Sequence, residues 1–578
     1  MRPLNKKFSP VINIFLGILI LSLISLFFYI AFKSAQVQET NERILSFLKE
    51  EDFHGAINLI ETTSLTGPDK DKDFLQKFSF LLFVKEKIQL QQDLISIKEA
   101  LEKIQKGMLF SAMIQQKENS LSFLNNLKNY LNKLEKYNFS WVEDKKYEIK
   151  NWLSFFGEKG EKNYLVLFQD PDIPRPSGGF IGAYAFLSFN DGKISFSGDH
   201  IFSLEEVFLD KIIPPVPFLD IGDRWFFHDT NWFFDFPSTG QKIFSFYSKT
   251  GKKPVLDGII LVNISAVESI LEIVGSIDLN DNLVIDQSNF ISFYKKQIQE
   301  AVKPAPSRTE KNFLPLFLEK SQRQLKESSF ETLSRISKIL ARSFEKKDLQ
   351  IYLVDDNLQY FFDSLGWTGK IKESKDDYLG VSINLLKSNF IEDKREKKIE
   401  LKTEFNPDGE IINYLVISAP NFSSQDRLLE NYLKIYLPKG IIIKEAKGSF
   451  LKETNIVKLK NIYEKLDYQK DEDLLLLEKN KIRDEKNGIE IYEEGGKTVI
   501  GFWSQLSVKP FTLIYKLPNR QEQFSDWELI VQKQSGQQMQ FSFELMTPPE
   551  TTIVPSLFPF NEFIPLDADL ILNFKRAN

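Results

Sequence analysis

Apolar and polar positions along the chain fall into four textures. Val11 to Phe32 is a run of 22 residues without a charge. As a helix rising about 1.5 Å per residue it is roughly 33 Å long, enough for a hydrocarbon core of about 30 Å. Over 34–158 apolar residues return at helical spacing (Ile44, Phe47, Leu48, then Phe74, Phe78, Leu81, Leu82) with Lys and Glu between them. This predicts a helical stalk or bundle. Over 160–390 short apolar runs replace that period. Leu165–Phe168, Phe180–Phe189 and Ile194–Phe202 read as strands, with Asn190-Asp191-Gly192 as a hairpin turn. Ile259–Val262 reads as another strand. Ser265 and Glu268 form a capping box that opens a helix ending at Gly275, and a further strand follows. After a Pro-rich linker at 303–307, a helical insertion occupies about 305–345, then come a strand (Leu349–Val354) and a helix (Asn357–Leu365). From Lys397 the period becomes two: Ile399, Leu401, Thr403 and Phe405 alternate with charged residues. A series of short strands with Gly and Pro turns continues to Leu545, which predicts an antiparallel β-sandwich over 395–578, with Asp467–Asn487 as a charged loop. The fold class is α+β and multidomain: transmembrane helix, helical stalk, α/β core, β-sandwich.

Flanking charge gives the orientation. Arg2, Lys6 and Lys7 precede the apolar run, and Lys33 alone follows it before Glu39 and Glu42. The positive-inside rule keeps 1–10 in the cytoplasm, makes 11–32 a single-pass signal anchor and places the rest outside the cell membrane. A cleaved signal peptide has a shorter apolar core and a small-x-small exit, which Lys33 interrupts. The expected partners are the lipid bilayer through 11–32 and, outside, a cell-wall glycopolymer or a surface protein. The net charge of −6 gives no bulk attraction to nucleic acid, and without cysteine there are no disulfides and no thiolate chemistry. Phe is abundant, at 52 copies.

Familiar catalytic patterns are missing. The chain has three histidines, no H-E-x-x-H, no phosphate loop and no G-x-S-x-G. Asp278-Leu-Asn280-Asp-Asn282 begins like a calcium loop but lacks its glycine and closing Glu. No cofactor is expected. Two constellations remain. Between the first two core strands, Asp170, Asp172 and Arg175 are the catalytic candidates, and Ser177, Gly178 and Gly179 offer backbone to a ligand. Arginine gives a planar fork to phosphate or carboxylate, glycine lets backbone N–H groups approach an anion, and Asp170 with Asp172 suits a divalent metal. The same residues also suit a rigid loop in which Arg175 pairs with Asp172. The second constellation is Trp225–Phe236, with seven aromatics among twelve residues and His228, Asp229, Asn231 and Asp235 interleaved. It suits a groove for sugar rings or a lipid tail, or a loop folding back into the core.

The segments NYLVLFQDPDIPRPSGGFIGAYAFLSFNDGKI, DTNWFFDFP and LDGIILVNISAVESILEIVGSIDL resemble the bacterial domain-of-unknown-function family number 4012, and the resemblance extends over roughly 160–520. It implies a single-pass, envelope-facing protein of unassigned biochemical role. His228 stands where that family usually carries Arg. The layout of anchor, external α/β core and strand-helix-Gly-strand unit is also similar to the LytR-CpsA-Psr family, which moves polyprenyl-pyrophosphate-linked glycopolymers to the cell wall. That likeness implies pyrophosphate and Mg²⁺ held near Asp170, Asp172 and Arg175, although the Arg-Ser-Asp-Thr and Pro-Arg-Asp-Thr motifs of that family are not in this chain.

Overall fold

The computed structural model describes Ser140 to Arg576, less 191–192, 220, 281–282, 302–307, 387–389, 421–428, 453–462, 464, 519–525, 549–552 and 556–560, together with residues 125, 128, 129 and 132. The tail at 1–10, the span expected at 11–32 and most of the stalk expected at 34–158 lie outside the described residues. Among the described residues no helix is long and apolar enough to cross a membrane. The chain divides into two compact units, 1–106 with 126–143 and 107–125 with 144–578, and the second carries the features below.

The α/β part contains β1 (Lys162–Arg175), β2 (Gly178–Asn190), β3 (Lys193–His200), β4 (Gly258–Asn263), β5 (Ile277–Asn280), β6 (Leu283–Ile285) and β7 (Leu349–Leu353). Five of them form one mixed sheet in the order β3-β2-β1-β4-β7, in which only β1 and β4 run parallel. Alternation along β1 sends Leu165 and Leu167 into a core beneath helix Phe236–Lys249, and Phe168 toward helices Ile264–Val274, Phe290–Ala301 and Arg308–Glu327 on the other face. The strand after Gly275 leaves this sheet: β5 pairs only with β6. The capping box is corrected too. The helix starts at Ile264 with Asn263 as N-cap, and the Asn263 carboxamide makes no cap bond. It accepts from Gln169 at 2.8 Å and donates to Asp348 at 3.1 Å instead. Gly275 ends the helix at φ +84°, a conformation open to glycine at little cost.

One aromatic cluster joins helix Ser140–Phe155 to the segment around Phe361. Trp152 stacks on Phe156 and meets Phe361, Phe362 and Trp367 edge-on, and Phe155 lies tilted against Phe362. Each buried ring removes apolar area from water worth about 1.5–3 kcal/mol.

The remaining strands are β8 (Asp377–Asn384), β9 (Lys397–Phe405), β10 (Ile411–Ser418), β11 (Asn431–Leu437), β12 (Ile442–Lys447), β13 (Ile482–Asp484), β14 (Ile489–Glu494), β15 (Lys497–Ser504), β16 (Phe511–Lys516), β17 (Asp526–Gln532), β18 (Met539–Met546), β19 (Ile553–Pro555), β20 (Ile564–Pro565) and β21 (Leu570–Arg576). They form a six-stranded sheet (β12-β16-β10-β9-β18-β20) and an eight-stranded sheet (β13-β14-β15-β11-β8-β17-β21-β19) whose inner faces share one core. The sheets are mixed, not antiparallel throughout, because β17 enters parallel to β8 and β18 parallel to β9. A parallel neighbour needs a long crossover, and here the crossover is most of the sandwich itself. β8, which the periodicity leaves in the α/β region, is buried along its whole length between β11 and β17. Its Asp377 is fully buried, accepting from Asn413 at 2.8 Å and from the Tyr378 N–H at 2.8 Å, and burial pushes its carboxyl up to about 7. The charged stretch 467–487 is not all loop. Asp471 caps a helix over Glu472–Lys479, and Leu474 and Leu477 pack against the α/β core.

Candidate functional site

The segment between the first two core strands is a hairpin with a bulge. β1 and β2 pair at Asp170↔Phe180 and again at Pro174↔Gly179, so Pro171-Asp172-Ile173 bulges from the ladder. Pro171 and Pro174 have no N–H to give to a ladder, which favours the bulge. Its backbone is satisfied from the sandwich: Gln537 donates to the Pro171 carbonyl, Asp393 N–H to that of Asp172 and Leu385 N–H to that of Pro174. The two glycines serve this packing. A side chain on Gly178, which also has φ +146°, would overlap the Gln169 amide, and one on Gly179 would overlap the Asp170 carbonyl.

Arg175 is buried and does not pair with Asp172. Its Nε donates to Asp229 Oδ1 at 2.9 Å, and its Nη1 donates to the carbonyl of Leu385 at 2.6 Å. The other Asp229 oxygen lies 3.4 Å from His228 Nε2, and His228 Nδ1 lies 3.0 Å from Glu205 Oε1. Burial opposes a charge on this imidazole, but Asp229 and Glu205 outweigh it and raise its affinity for a proton above the ordinary value. A carboxylate thus lies beside each ring nitrogen of His228, and Asp229 links that imidazole to the Arg175 guanidinium.

The rest of the second constellation is structural. Asn231 donates to the Gly179 carbonyl at 2.6 Å and to Gln169 Oε1 at 3.2 Å. Ser177 Oγ bonds the Asn231 carbonyl and Thr239. Asp235 caps helix Phe236–Lys249 through Ser238 and accepts from the Ile371 N–H. Trp225, Phe227 and Phe236 have no exposed surface, so these rings form core rather than a groove.

Asp170 and Asp172 belong to a different neighbourhood. Lys295, on helix Phe290–Ala301, reaches Asp170 Oδ1 at 3.3 Å, Asp172 Oδ2 at 2.5 Å and Glu392 Oε1 at 2.8 Å. Lys394 adds contacts to Glu392 at 2.5 Å and Asp172 at 3.6 Å. Three carboxylates here face two ammonium groups. Burial pushes the Asp170 carboxyl up to about 6 despite the opposing pull of Lys295, while Lys295 itself is raised, burial being outweighed by Asp170 and its companions. These groups border a shallow surface cleft with room for about one water molecule and apolar walls including Phe180, Ile298 and Phe390. The donor set does not fit Mg²⁺: the Lys295 ammonium lies among the carboxylates where a divalent ion would have to sit, and no group of three metal-binding side chains occurs among the described residues. Lys295, Lys394, Glu392 and Glu205 were invisible as partners in the sequence, since each lies in an ordinary charged or amphipathic stretch and meets the hairpin only through the fold.

The span β1 to β6 with helix Phe290–Ala301 carries Asp170, Asp172, Arg175, Glu205, His228, Asp229 and Lys295, while Leu385, Glu392 and Lys394 reach them from further along the chain. Residues 159–298 match a family described as a protein of unknown function, DUF4012. The match covers the five-stranded sheet up to β4, the β5–β6 hairpin and most of the helix bearing Lys295, a shorter range than the resemblance over 160–520. No curated protein matches the chain. Among solved structures, one of Lmo1026 from Listeria monocytogenes is similar at 11% identity, covering 38% of this chain and 84% of that one, with a TM-score of 0.18. A likeness at that score carries no argument about this chain.

Proposed function

We propose that the protein is a single-pass, membrane-anchored envelope protein, displayed outside the cell, that binds a wall polymer or a surface partner and does not catalyse its transfer. One observation supports the non-catalytic part above the rest. Arg175, the side chain best suited to a departing phosphate, is buried and held by Asp229 and the Leu385 carbonyl. An arginine so engaged is a poor stabiliser of charge developing on a substrate, which needs donors aimed at the reacting group. The membrane placement is supported by the uncharged run at 11–32 and its flanking lysines.

A second reading, transfer of a polyprenyl-pyrophosphate-linked glycopolymer, is favoured by the Asp170 cleft, where a carboxyl with a pKa of about 6 adjoins apolar walls. One experiment separates the two. The full chain in detergent is incubated with labelled polyprenyl-pyrophosphate glycan, Mg²⁺ and purified cell walls. Retention on the walls without turnover is the expected result. Turnover lost in Asp170→Asn, with the fold intact by circular dichroism, replaces the first reading with the second.

A further inference from the structure

The two sheets of the sandwich differ on their outer faces. The eight-stranded sheet is covered: Tyr378, Tyr436 and Tyr492 pack with Phe234 from the α/β part, and β8 and β11 are buried along their whole length. The six-stranded sheet has no helix packed against it among the described residues, and β9 and β10 alternate between buried and part-exposed positions. Along β9 the outward positions read Lys398, Glu400, Lys402 and Glu404, so the charge changes sign at every second residue. Beside them on β10 stand Ile412, Tyr414 and Val416, in register with Glu404, Lys402 and Glu400, and Ile514 of β16 lies beyond Tyr414. On the other flank of this apolar strip, β12 carries Glu445 and Lys447, paired with each other at 2.6 Å. An apolar centre between charged borders is the anatomy of an interface.

We propose that this face packs on the same face of a second copy, strands antiparallel, about a two-fold axis that crosses the strands at the level of Leu401 and Leu415. An isologous interface must be self-complementary, and this one is in every row. Reversing β9 on itself sets Lys402 against Glu400 of the second copy and Lys398 against its Glu404; the ladder registers then set Glu445 against its Lys447 and Tyr414 against its Val416. Packed sheets keep their strands within about 30° of each other, which leaves the central pairs in reach. Within the chain, Lys402 lies 3.3 Å from Glu544 and Tyr414 donates to Glu404 at 2.8 Å. An ammonium has three N–H groups and a carboxylate two oxygens, so each keeps capacity for a second partner. Strands about 4.8 Å apart, rising about 3.4 Å per residue, make β12 to β18 a face on the order of 500–600 Å² a side. Two such faces reach the roughly 1,000 Å² that a specific interface needs. A polyanion would meet Glu400, Glu404 and Glu445, and a polycation Lys398, Lys402 and Lys447, so a surface of mixed sign fits a partner of mixed sign. This pairing does not depend on what the protein binds in the wall.

The chain has no cysteine, so a single introduced one reports only its own neighbours. Val416→Cys in the full chain, in detergent, is treated with a short bis-maleimide that spans the roughly 10 Å between packed sheets, and cross-linked dimer is read on a denaturing gel. Tyr360→Cys, exposed on helix Asp356–Ser364, controls for chance encounters. Val416→Cys is expected to give dimer and Tyr360→Cys about tenfold less. Glu400→Lys and Lys402→Glu, each added to Val416→Cys, set like charges face to face and should each cut the dimer about tenfold or more. Mixed one to one before cross-linking, these two variants carry opposite charges at both positions and should recover the dimer, which a loss of fold cannot mimic. Equal cross-linking of Val416→Cys and Tyr360→Cys overturns the proposal, as do charge variants that pair like the parent or a mixture that fails to recover. So does a Val416→Cys chain that gives no dimer, since the face is then left to a different occupant.

Discussion

Two positions of one hairpin, five residues apart, meet opposite fates. Arg175 points into the protein, where Asp229 and a carbonyl satisfy it, and Asp229 in turn adjoins His228, whose other nitrogen adjoins Glu205. Asp170 and Asp172 face the helix side, where carboxylates outnumber ammonium groups and a shallow surface cleft has room for about one water molecule. The difference teaches that residue types suited to phosphate chemistry do not make a site by proximity in sequence. What they do is decided by which charges the fold delivers to them, and the Pro171–Ile173 bulge separates the two ends.

The comparison can be broken most directly at its buried end. Arg175→Met leaves Asp229 buried without its cation, and a loss of about 3–5 kcal/mol in urea denaturation is expected. A loss below about 1 kcal/mol would mean that Arg175 is not structural. Asp377 sets the scale for a carboxyl buried without a salt bridge. Its folded-state pKa of about 7 lies above the unfolded value, so its contribution is fully favourable below about pH 4 and is lost as pH rises to about 7. Asp377→Asn should therefore flatten that pH dependence and raise stability at pH 8, by at most about 4 kcal/mol. Asp170, raised to about 6 by burial, has the same sign over a narrower window. Asp170→Asn should remove a fall of at most about 3 kcal/mol between about pH 4 and pH 6, measured by chemical denaturation across that range. If wild-type stability rises through the window instead, Lys295 dominates burial and the two ends of the hairpin are alike. Smallest is Lys394→Ala at the exposed rim, where a change within about 1 kcal/mol in the same assay marks a solvated pair.

What could be read from the residues was local. The run Ile259–Val262, the stop at Gly275 and the alternation from Ile399 to Phe405 each carry their structure in a few neighbours, and each forms the expected element. What could not be read depended on distant delivery. Asn263 forgoes a cap bond because Gln169 and Asp348 reach its side chain. β8 looked like part of the α/β core because its own pattern does not say that both its neighbours lie far downstream. For the hairpin, the residue types were legible and their partners were not: Asp229 lies 54 positions from Arg175, and Lys295 lies 123 from Asp172.

The parallel entries of β17 and β18 bear on how the molecule is made. Until residues 526–546 leave the ribosome, β8 and β9 each have one flank bare, and the apolar layer between the sheets stays open on that side. Assembly of this half waits on late synthesis and on contacts of long sequence separation, which slows it and prolongs the exposure of sticky strand edges. A nascent chain of this kind has reason to be shielded while it is completed.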